Sequence, residues 1–499
     1  MKNIVYCSII FCLVSIHTGC YKDLSSNRYE PFGQISIEGI ESSYSLVSYI
    51  DVLTIDPAVS STDPSDRFTY TWTLYSNANL SSIAAYTPVD TIGHEKTLNY
   101  PVNLAPGAYT IVLHVTNATN GFKAYQSATL NTGTPFSTGY YFLKETAAGK
   151  TEIDFRNPAG EMVYDLLETC IGAPMEGTPN RLTIYSGYSY TDPVTTQRKS
   201  GRVLFPTTTR EAKVILVDDI SEIYDYDAMY YGDKPIEIPL YLFKTIFYPI
   251  YASSIGTYIN SGSGKYGLPS TPAGGCSYSK YIVTNENGMV AATLFDDADP
   301  NNGRFVKVDY NNNVQTLTQT NDYSFSGIRE KLMFMSANTG GLSISSGRAI
   351  FRDRTDPLLN NLYTLSFGST SNTVTNIQTL NPELNFCKAH IYGANKSDAT
   401  MMLYGGVGDK IYMYNTASEQ EKLLTPEGMG SGEEITLITH KNGQGTYLII
   451  ATYRAGNYKV YMYATSGGEP YGEPAIVVEG VGKVIDLQHT ATSYGYANL

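Results

Sequence analysis

Short stretches in which apolar and polar residues alternate run along most of the chain, and turn residues separate them. A period of two is typical of β-strands with one buried face, whereas an amphipathic helix repeats every three or four residues. The pattern therefore predicts an all-β fold, whose first domain, residues 34–135, is a β-sandwich of immunoglobulin size. The alternation places Tyr70, Trp72 and Leu74 on one face of a strand, and we expect Trp72 in the core.

A repeat of 49 residues marks the second half of the sequence. One tyrosine of a short apolar motif recurs at this spacing: Tyr363, Tyr412 and Tyr461. Residues expected to begin a strand recur at the same spacing: Phe386, Ile435 and Val484. A period of about 40–50 residues with four strands in each repeat is typical of a β-propeller. We predict a propeller over residues 136–499 with about six blades, or seven, because residues 219–277 are hard to assign.

The last repeat contains only half of the expected strands, Val484 to His489 and Tyr494 to Leu499. The hairpin predicted from Tyr140 to Phe155, directly after the sandwich, has no partner in its own part of the sequence. Pairing this hairpin with the last strand would complete a blade and remove a free sheet edge. We therefore expect the first and last strands of the propeller to close it.

The first residues form a targeting segment, with Lys2 followed by an apolar stretch from Ile4 to Ile16 that is too short to span a bilayer. The segment ends in Thr18-Gly19-Cys20, which resembles the lipobox of bacterial lipoproteins, although His17 stands where that pattern has Leu. The resemblance implies a signal peptide over residues 1–19, a lipid on Cys20 and a tether over residues 20–33. Ordinary secretory cleavage near Gly19 is the alternative.

A second resemblance covers about residues 20–180. Leu53 to Pro57, Tyr70 to Trp72 and Pro106 to Ile111, in this order, resemble the polycystic-kidney-disease (PKD) sandwich. With Cys20-Tyr21-Lys22-Asp23 at its start, the chain is similar to the PKD-like family of Gram-negative lipoproteins. Thr73 to Ser76 departs from classical PKD domains, which have a Gly-Asp-Gly turn there. The resemblance implies an outer-membrane lipoprotein that is surface-exposed, or otherwise faces the periplasm, beside a TonB-dependent importer. It implies no catalytic residues.

Charge and cysteine content narrow the partners and the chemistry. With 47 acidic and 34 basic residues the net charge is −13, and a chain without a basic block is not expected to bind nucleic acid. Cys170, Cys276 and Cys387 are more than 100 residues apart, which is neither a metal motif nor a disulfide framework. One disulfide among the three remains open.

One loop and three histidines could in principle bind a metal. Asp297, Asp299 and Asn301 alternate as Ca²⁺ ligands do, but Val308 stands where a calcium loop has its bidentate Glu, which favours a polar hairpin turn. We expect no cofactor, with Ca²⁺ as the open exception. Three histidines share one place in the repeat: His390, His440 and His489. We interpret them as hydrogen-bonding residues within the blades rather than as a metal cluster.

Residues 219–277 are the candidate surface for a ligand. Tyrosines crowd there beside Asp225, Asp227 and Asp233, and six of them are candidate ligand-binding residues: Tyr224, Tyr226, Tyr230, Tyr231, Tyr248 and Tyr251. Aromatic faces beside carboxylates suit sugar rings or peptide backbones. The apolar run from Ile236 to Ile250 is instead suited to blade core.

No local motif of a hydrolase, a metalloprotease or a nucleotide-binding loop occurs in the sequence. We therefore predict a protein without enzymatic activity that captures a glycan or peptide nutrient at the cell surface. One alternative is a propeller enzyme, such as a glycan lyase or hydrolase, with catalytic carboxylates from different blades. Another is a scaffold that binds protein alone.

Replacing Cys20 by alanine tests the anchor. Cys20→Ala should abolish labelling of the protein by a fatty-acid analogue in cells and leave a soluble or uncleaved species, because the thiol that takes the lipid is gone. Cys7→Ala, within the segment that is removed, is the matched control. Equal labelling of the Cys20 variant and the parent would exclude lipidation at this residue.

Overall fold

The computed structural model describes residues 34–77, 89–285, 288–317, 323–337, 346–368, 372–395, 402–441 and 447–490. Over these residues the only helices are α1, Leu166–Ile171, and the 3₁₀ turn Asn385–Lys388, and neither could cross a membrane. The chain divides into two compact units. Of the described residues, the first unit holds those up to Tyr44 and those within Val52–Pro101 and Tyr109–Thr129, and the second holds Ser45–Asp51, Val102–Ala108 and those from Leu130 onward.

Nine strands build the sandwich: β1 (Ile35–Glu38), β2 (Ser43–Val47), β3 (Val52–Ile55), β4 (Ala58–Ser61), β5 (Phe68–Ser76), β6 (Asp90–Gly93), β7 (Leu98–Pro101), β8 (Gly107–Asn117) and β9 (Lys123–Gly133). Five of them form one sheet in the order β2-β9-β8-β5-β6, while β3 pairs with β7 and β1 with β4. This arrangement confirms the predicted all-β N-terminal domain.

Trp72 lies at the centre of the sandwich core, as the alternation predicts. Its side chain is 1% exposed, and Leu74 on the same face of β5 is also buried. Across the sheet Trp72 is paired with Leu113 of β8, which is also buried. The indole N–H donates a hydrogen bond to the carbonyl oxygen of Glu95 at 3.0 Å, so the one polar atom of the buried side chain is satisfied.

The described residues between 139 and 490 form seven antiparallel sheets, numbered here along the chain. Sheet 1 is β10 (Gly139–Glu145), β11 (Thr151–Arg156) and β12 (Met162–Val163) with β37 (Lys483–Thr490); sheet 2 is β13 (Pro179–Thr191), β14 (Arg198–Thr208), β15 (Val214–Leu216) and β16 (Glu222–Tyr224); sheet 3 is β17 (Pro239–Lys244), β18 (Pro249–Ser253) and β19 (Gly256–Ile259).

The remaining four sheets follow in sequence order. Sheet 4 is β20 (Val283–Thr284), β21 (Val290–Asp296), β22 (Arg304–Asp309) and β23 (Val314–Thr316); sheet 5 is β24 (Lys331–Ala337), β25 (Ser346–Arg352), β26 (Asn360–Phe367) and β27 (Asn372–Thr379); sheet 6 is β28 (Ile391–Ala394), β29 (Leu403–Val407), β30 (Lys410–Asn415) and β31 (Gln420–Leu424); sheet 7 is β32 (Glu434–Lys441), β33 (Tyr447–Arg454), β34 (Asn457–Ser466) and β36 (Ile476–Val481), with the short β35 (Glu469–Pro470) paired to β34.

A hydrophobic core lies between each sheet and the next, from sheets 1 and 2 through to sheets 6 and 7. A further core packs Val460 and Met462 of sheet 7 against Phe142 and Leu487 of sheet 1. Every sheet is therefore covered on both faces by its neighbours, which is the closed arrangement of a β-propeller. The predicted fold class, a sandwich followed by a propeller, is confirmed.

The propeller is closed by antiparallel pairing of β10 with β37, which runs from Gly139 opposite Thr490 to Glu145 opposite Lys483. Gly139 has a positive φ, and a β-carbon at this position would lie 2.2 Å from the carbonyl oxygen of Arg156. Only glycine permits this close approach of two backbones at the start of the strand. The first and last strands of the ring of sheets thus share one ladder.

A buried charge network joins the closing sheet to sheet 7. Lys144 is 2% exposed, and its Nζ lies 2.7 Å from Asp154 Oδ1 and 2.8 Å from Asp165 Oδ1. The Tyr458 hydroxyl of β34 donates to Asp154 Oδ2 at 2.7 Å. Because a buried charge that loses its partner costs about 3–5 kcal/mol, this network favours one arrangement of the closure.

The 49-residue spacing has a structural origin in the third strands. Tyr363, Tyr412 and Tyr461 lie in β26, β30 and β34, the third strands of sheets 5, 6 and 7. Ile435 and Val484 lie in the first strands of sheet 7 and sheet 1. The expectation that Phe386 begins a strand is wrong, because it lies in the 3₁₀ turn, where its N–H donates to the Glu421 carboxylate at 2.8 Å.

The sequence predicts about six blades and leaves seven open, and the described residues form seven sheets. The sheet that the sequence did not assign is sheet 3, formed by β17, β18 and β19 within residues 219–277. It has three strands instead of four and carries no copy of the tyrosine motif at the 49-residue spacing.

Deleting the last strand tests the closure. Removal of residues 483–499 should cause aggregation or a sharply lower melting temperature, because β10 loses its partner and the apolar faces of sheets 1 and 7 become exposed. Removal of residues 491–499 alone leaves β37 intact and serves as the matched control in thermal unfolding and light scattering. A 483–499 deletion that stays monomeric and melts with the parent would contradict the closed ring.

Candidate functional site

The strands of each sheet run up and down in turn, so that connections alternate between two faces of the propeller. The segments that lead into a first strand and the turns between second and third strands lie on one face, called the entry face below. The turns between first and second strands and between third and fourth strands lie on the opposite face. Ligand sites of propellers can use either face or the central axis.

The structure does not bring the six candidate tyrosines together at one surface. Four of them are buried between sheets 2 and 3: Tyr224, Tyr226, Tyr230 and Tyr251. Tyr231 is 65% exposed on the entry face, whereas Tyr248 is 43% exposed in the turn between β17 and β18, on the opposite face. The buried aromatic rings pack into core and offer no free face for stacking on a ligand.

The buried tyrosines surround a carboxylate that the sequence analysis did not single out, Glu237. Its Oε1 accepts hydrogen bonds from three hydroxyls, those of Tyr226 at 3.1 Å, Tyr230 at 2.6 Å and Tyr251 at 2.8 Å. Its Oε2 accepts the hydroxyl of Tyr258 at 2.5 Å. The donors come from the segment before β17 and from strands β18 and β19. We call this group the Glu237 cluster.

The Glu237 cluster is arranged to hold its loop rather than to transfer protons. Burial, followed by the carboxylate of Glu237, raises the pKa of Tyr226 and of Tyr230 well above the usual value of a phenol. Such phenols stay protonated at neutral pH and are poor proton donors there. Glu237 itself already accepts four hydrogen bonds, so that a substrate proton would have to displace one of them.

Two of the three acidic residues noted beside these tyrosines, Asp225 and Asp227, form contacts within their own loop. Asp225 Oδ1 accepts the N–H of Ala228 at 2.8 Å, and Asp227 forms an ion pair with Lys234 at 2.5 Å. Lys234 in turn lies 5.3 Å from the centre of the Tyr226 aromatic ring. Together with the Glu237 cluster, these contacts fix the segment that displays Tyr231, whose hydroxyl is hydrogen-bonded to that of Ser263.

A second aromatic group lies on the opposite face, and it includes the other exposed candidate, Tyr248. Phe247 is 62% exposed and packs edge-on against Tyr310 of the turn between β22 and β23, with 5.5 Å between the centres of the two aromatic rings. Buried Thr245 fixes the turn, because its Oγ1 accepts the N–H of Tyr248 at 3.1 Å and donates to its carbonyl oxygen at 2.8 Å. We call Ile246, Phe247, Tyr248 and Tyr310 the aromatic turn.

The predicted core run from Ile236 to Ile250 is divided between these two environments. Leu242, Phe243 and Ile250 are buried in the cores on the two sides of sheet 3, as a blade strand requires. Ile236 is fully exposed and Phe247 largely so, because both lie in connections outside the ladder.

The calcium candidates lie in the turn between β21 and β22. Asp297 pairs with Arg354, while Asp299 Oδ1 accepts the N–H of Asn301 at 2.9 Å within the turn itself. Over the described part of the chain no three His, Cys, Asp or Glu side chains are placed to hold a metal ion. The turn geometry is that of a polar hairpin connection.

The three repeated histidines do not meet on the axis in a common group. The His390 ring nitrogen Nε2 lies 3.0 Å from the carbonyl oxygen of Ile435, a contact from sheet 6 to sheet 7. The His489 ring lies 4.5 Å from that of Tyr140, centre to centre, across the closing ladder. His440 is buried in β32. These contacts link neighbouring strands and sheets.

The structure describes three of the four cysteines discussed above. Cys170, Cys276 and Cys387 are free thiols, and burial raises the pKa of Cys276 and Cys387 to about 11. Thiols of this kind are weakly reactive at neutral pH. Cys20, the predicted lipidation site, lies outside the described residues.

Sequence reasoning missed Glu237 and Phe247, although one signal pointed to the first. Glu237 is the only charged residue between Pro235 and Phe243, in an otherwise apolar approach to a strand. A lone carboxylate in such a run must find donors when the strand is buried. Phe247 gave no comparable signal, because an apolar residue next to a core strand is predicted from sequence to be buried.

A family match covers the N-terminal part of the chain. Residues 20–179 match the PKD-like family, which confirms the resemblance over this part of the chain. No curated protein matches the sequence.

Among solved structures, a quinonprotein alcohol dehydrogenase-like protein of Bacteroides thetaiotaomicron is 13% identical, with a TM-score of 0.41 over 92% of this chain and 99% of that one. The WD40 domain of Neurospora crassa Pan2 is 9% identical, with a TM-score of 0.37 over 59% and 80%. Regucalcin of Agrobacterium tumefaciens, a calcium-binding protein, is 13% identical, with a TM-score of 0.32 over 58% and 84%. At TM-scores this low, the similarities carry no argument about ligands or activity.

Removing one acceptor oxygen tests the Glu237 cluster. Glu237→Gln should lower the free energy of unfolding by about 1–3 kcal/mol, because an amide NH₂ then faces a buried tyrosine hydroxyl. Tyr258→Phe removes that hydroxyl and should cost less when it is combined with Glu237→Gln than when it is made in the parent. Chemical unfolding of the two single variants and the double variant measures the coupling.

Glu383→Gln, at an exposed turn, is the control for loss of one negative charge. Strictly additive effects of Glu237→Gln and Tyr258→Phe would show that the two side chains do not interact.

Proposed function

We propose that the protein is a lipid-anchored module of the outer-membrane surface that binds an extracellular glycan or peptide beside a TonB-dependent importer, and that it carries out no reaction on the ligand. A PKD-like sandwich followed by a propeller is typical of binding and scaffold modules, which supports the first part. The lipobox-like Gly19-Cys20 and the start of the family match at residue 20 support the anchor.

The aromatic turn is the observation that carries the binding proposal. Phe247 and Tyr248 are exposed, while the turn that bears them is fixed by Thr245 and braced by Tyr310 of the neighbouring sheet. Exposed aromatic side chains on a rigid turn can bind with little loss of conformational freedom. Their faces are suited to stacking on sugar rings or on the side chains of a peptide.

Large exposed aromatic side chains are costly to display without a partner, and they mark interaction sites when they are grouped. Here Ile246, Phe247 and Tyr248 are consecutive and all exposed, next to the half-buried Tyr310. The group belongs to two different sheets, so that its spacing is set by the propeller and not by the turn alone. This rigidity favours recognition of a ligand of defined shape.

Arrays of glycans and peptides probed with the intact protein test the proposal. Phe247→Ser with Tyr248→Ala should weaken binding of the selected ligand by roughly 5- to 100-fold, because each of the two aromatic contacts contributes roughly 0.5–1.5 kcal/mol. Tyr471→Ala, an exposed tyrosine in the part of the chain that belongs to sheet 7, is the matched control.

Turnover of the bound ligand, followed by chromatography, would contradict the absence of catalysis. Binding of proteins only, with neither glycans nor peptides retained, would favour a scaffold.

A further inference from the structure

Four successive sheets contribute one residue each from their first strand or from the segment that leads into it, and the first strands of a propeller line its central axis. Asp486 lies in β37 of sheet 1, Arg181 in β13 of sheet 2 and Tyr241 in β17 of sheet 3, while Lys280 shortly precedes β20 of sheet 4. The guanidinium carbon of Arg181 is 4.8 Å from the centre of the Tyr241 aromatic ring. These residues are far apart in sequence: the order of the sheets brings Arg181, Tyr241 and Lys280 together, and closure of the propeller adds Asp486.

Arg181 has no hydrogen-bond acceptor among the described residues. Its Nε is inaccessible to solvent and unpaired, and the nearest carboxylate oxygen, Asp486 Oδ2, is 3.9 Å away. Part of the guanidinium remains open, since the side chain is 33% exposed. A guanidinium held against an aromatic ring with its donors unused is prepared for a planar anion.

Asp486 lies 3.9 Å from this cation without forming a hydrogen bond to it, and both of its oxygens accept backbone N–H groups instead. Oδ2 accepts the N–H of Leu182 and Oδ1 accepts the N–H of Leu487, each at 2.9 Å. The carboxylate therefore links β37 to β13. Its distance from Arg181 exceeds that of a hydrogen bond.

Lys280 is a second cation, and over the described residues no carboxylate forms an ion pair with it. It is accessible to solvent, yet protein surrounds it on most sides, and its pKa is lowered by burial and then by the positive charge of Arg181, with Asp486 acting in the other direction. Its Nζ lies 5.6 Å from the centre of the Tyr281 aromatic ring. Arg181 and Lys280 are thus two like charges close enough to interact, in a protein whose net charge is −13.

The inner backbone edges at this point are already hydrogen-bonded by side chains. Gln488 donates to the carbonyl oxygen of Leu182 at 2.9 Å, Thr183 to that of Leu242 at 3.1 Å and Asn180 to that of Pro239 at 2.9 Å. An extended peptide, which binds largely through backbone hydrogen bonds to a strand edge, would find these groups taken. A ligand recognised by its charge and by aromatic faces needs none of them.

We propose that Arg181 and Lys280, flanked by Tyr241 and Tyr281, form an anion site on the propeller axis that takes the carboxylate of an acidic sugar. This inference rests on the proposed binding function and narrows its ligand to uronate-containing glycans. The guanidinium and the ammonium group bind the carboxylate from two different sheets, and the two tyrosines border the sugar ring. The aromatic turn on the opposite face is separate from this site.

Calorimetry of the full chain with a glucuronate disaccharide tests the inference, with the neutral glucose disaccharide and a dipeptide bearing a free carboxylate as comparison probes. Arg181→Gln and Lys280→Gln should each weaken glucuronate binding at least tenfold, whereas Asp486→Asn should strengthen it severalfold because one repelling charge is removed. Added salt should weaken binding by the parent. Lys410→Gln, an exposed lysine on β30, is the control for charge and should leave binding unchanged.

Arg181→Lys keeps the positive charge and is the control in case the Gln variant misfolds. It should bind glucuronate more weakly than the parent but measurably, at an unchanged melting temperature. Equal binding of the neutral disaccharide, binding unaffected by both Gln variants, or no binding of glucuronate by the parent would each overturn the inference. A glycan or peptide that depends on Phe247 and Tyr248 but not on Arg181 would leave the proposed function standing while the axial site fails. If the dipeptide binds more tightly than glucuronate and depends on the same two cations, the inference that the ligand is an acidic sugar would be overturned.

Discussion

The pairing of β10 with β37 is the interaction on which the rest of the propeller depends. Each sheet is apolar on both faces and is stable in water only between two neighbours. Without this ladder, the core that joins Phe142 and Leu487 to sheet 7 would be lost, and two sheets would each expose an apolar face. The same ladder carries Asp486 to its place beside Leu182 and Arg181. Closure therefore sets the geometry of the axis as well as the stability of the ring.

Much of this architecture is readable from the sequence because its strands repeat a local pattern. Tyr363, Tyr412 and Tyr461 recur because each occupies a third strand between two cores, where one amphipathic side chain suits the same environment three times. Phe386 does not follow the pattern. It lies in a 3₁₀ turn, and its backbone N–H donates a hydrogen bond to the carboxylate of Glu421 on β31. Sheet 3 lacks the motif altogether. Local alternation reports strands well, but it does not report which side chain will compete for a backbone group.

The candidate site was predictable only in part, for a related reason. Tyrosine is amphipathic, so a crowd of tyrosines fits an exposed binding surface as well as a core in which every hydroxyl has an acceptor. Glu237 decides between the two for Tyr226, Tyr230 and Tyr251, and nothing local shows that it faces them. Tyr248 is exposed because it lies in a turn. Arg181 and Lys280 gave no signal, because their proximity follows from the order of the sheets and not from spacing along the chain.

The ladder between Gly139 and Thr490 also has a kinetic side. It joins residues from opposite ends of the propeller sequence, and contacts of such long range form slowly because a large loop must be closed first. During synthesis the hairpin β10–β11 emerges early and has no edge partner until the other six sheets have followed. Over that interval its free edge is open to pairing with other chains, so that the nascent protein depends on being kept apart from its copies. The partner of β10 is β37, which is synthesised after all the other described strands of the propeller.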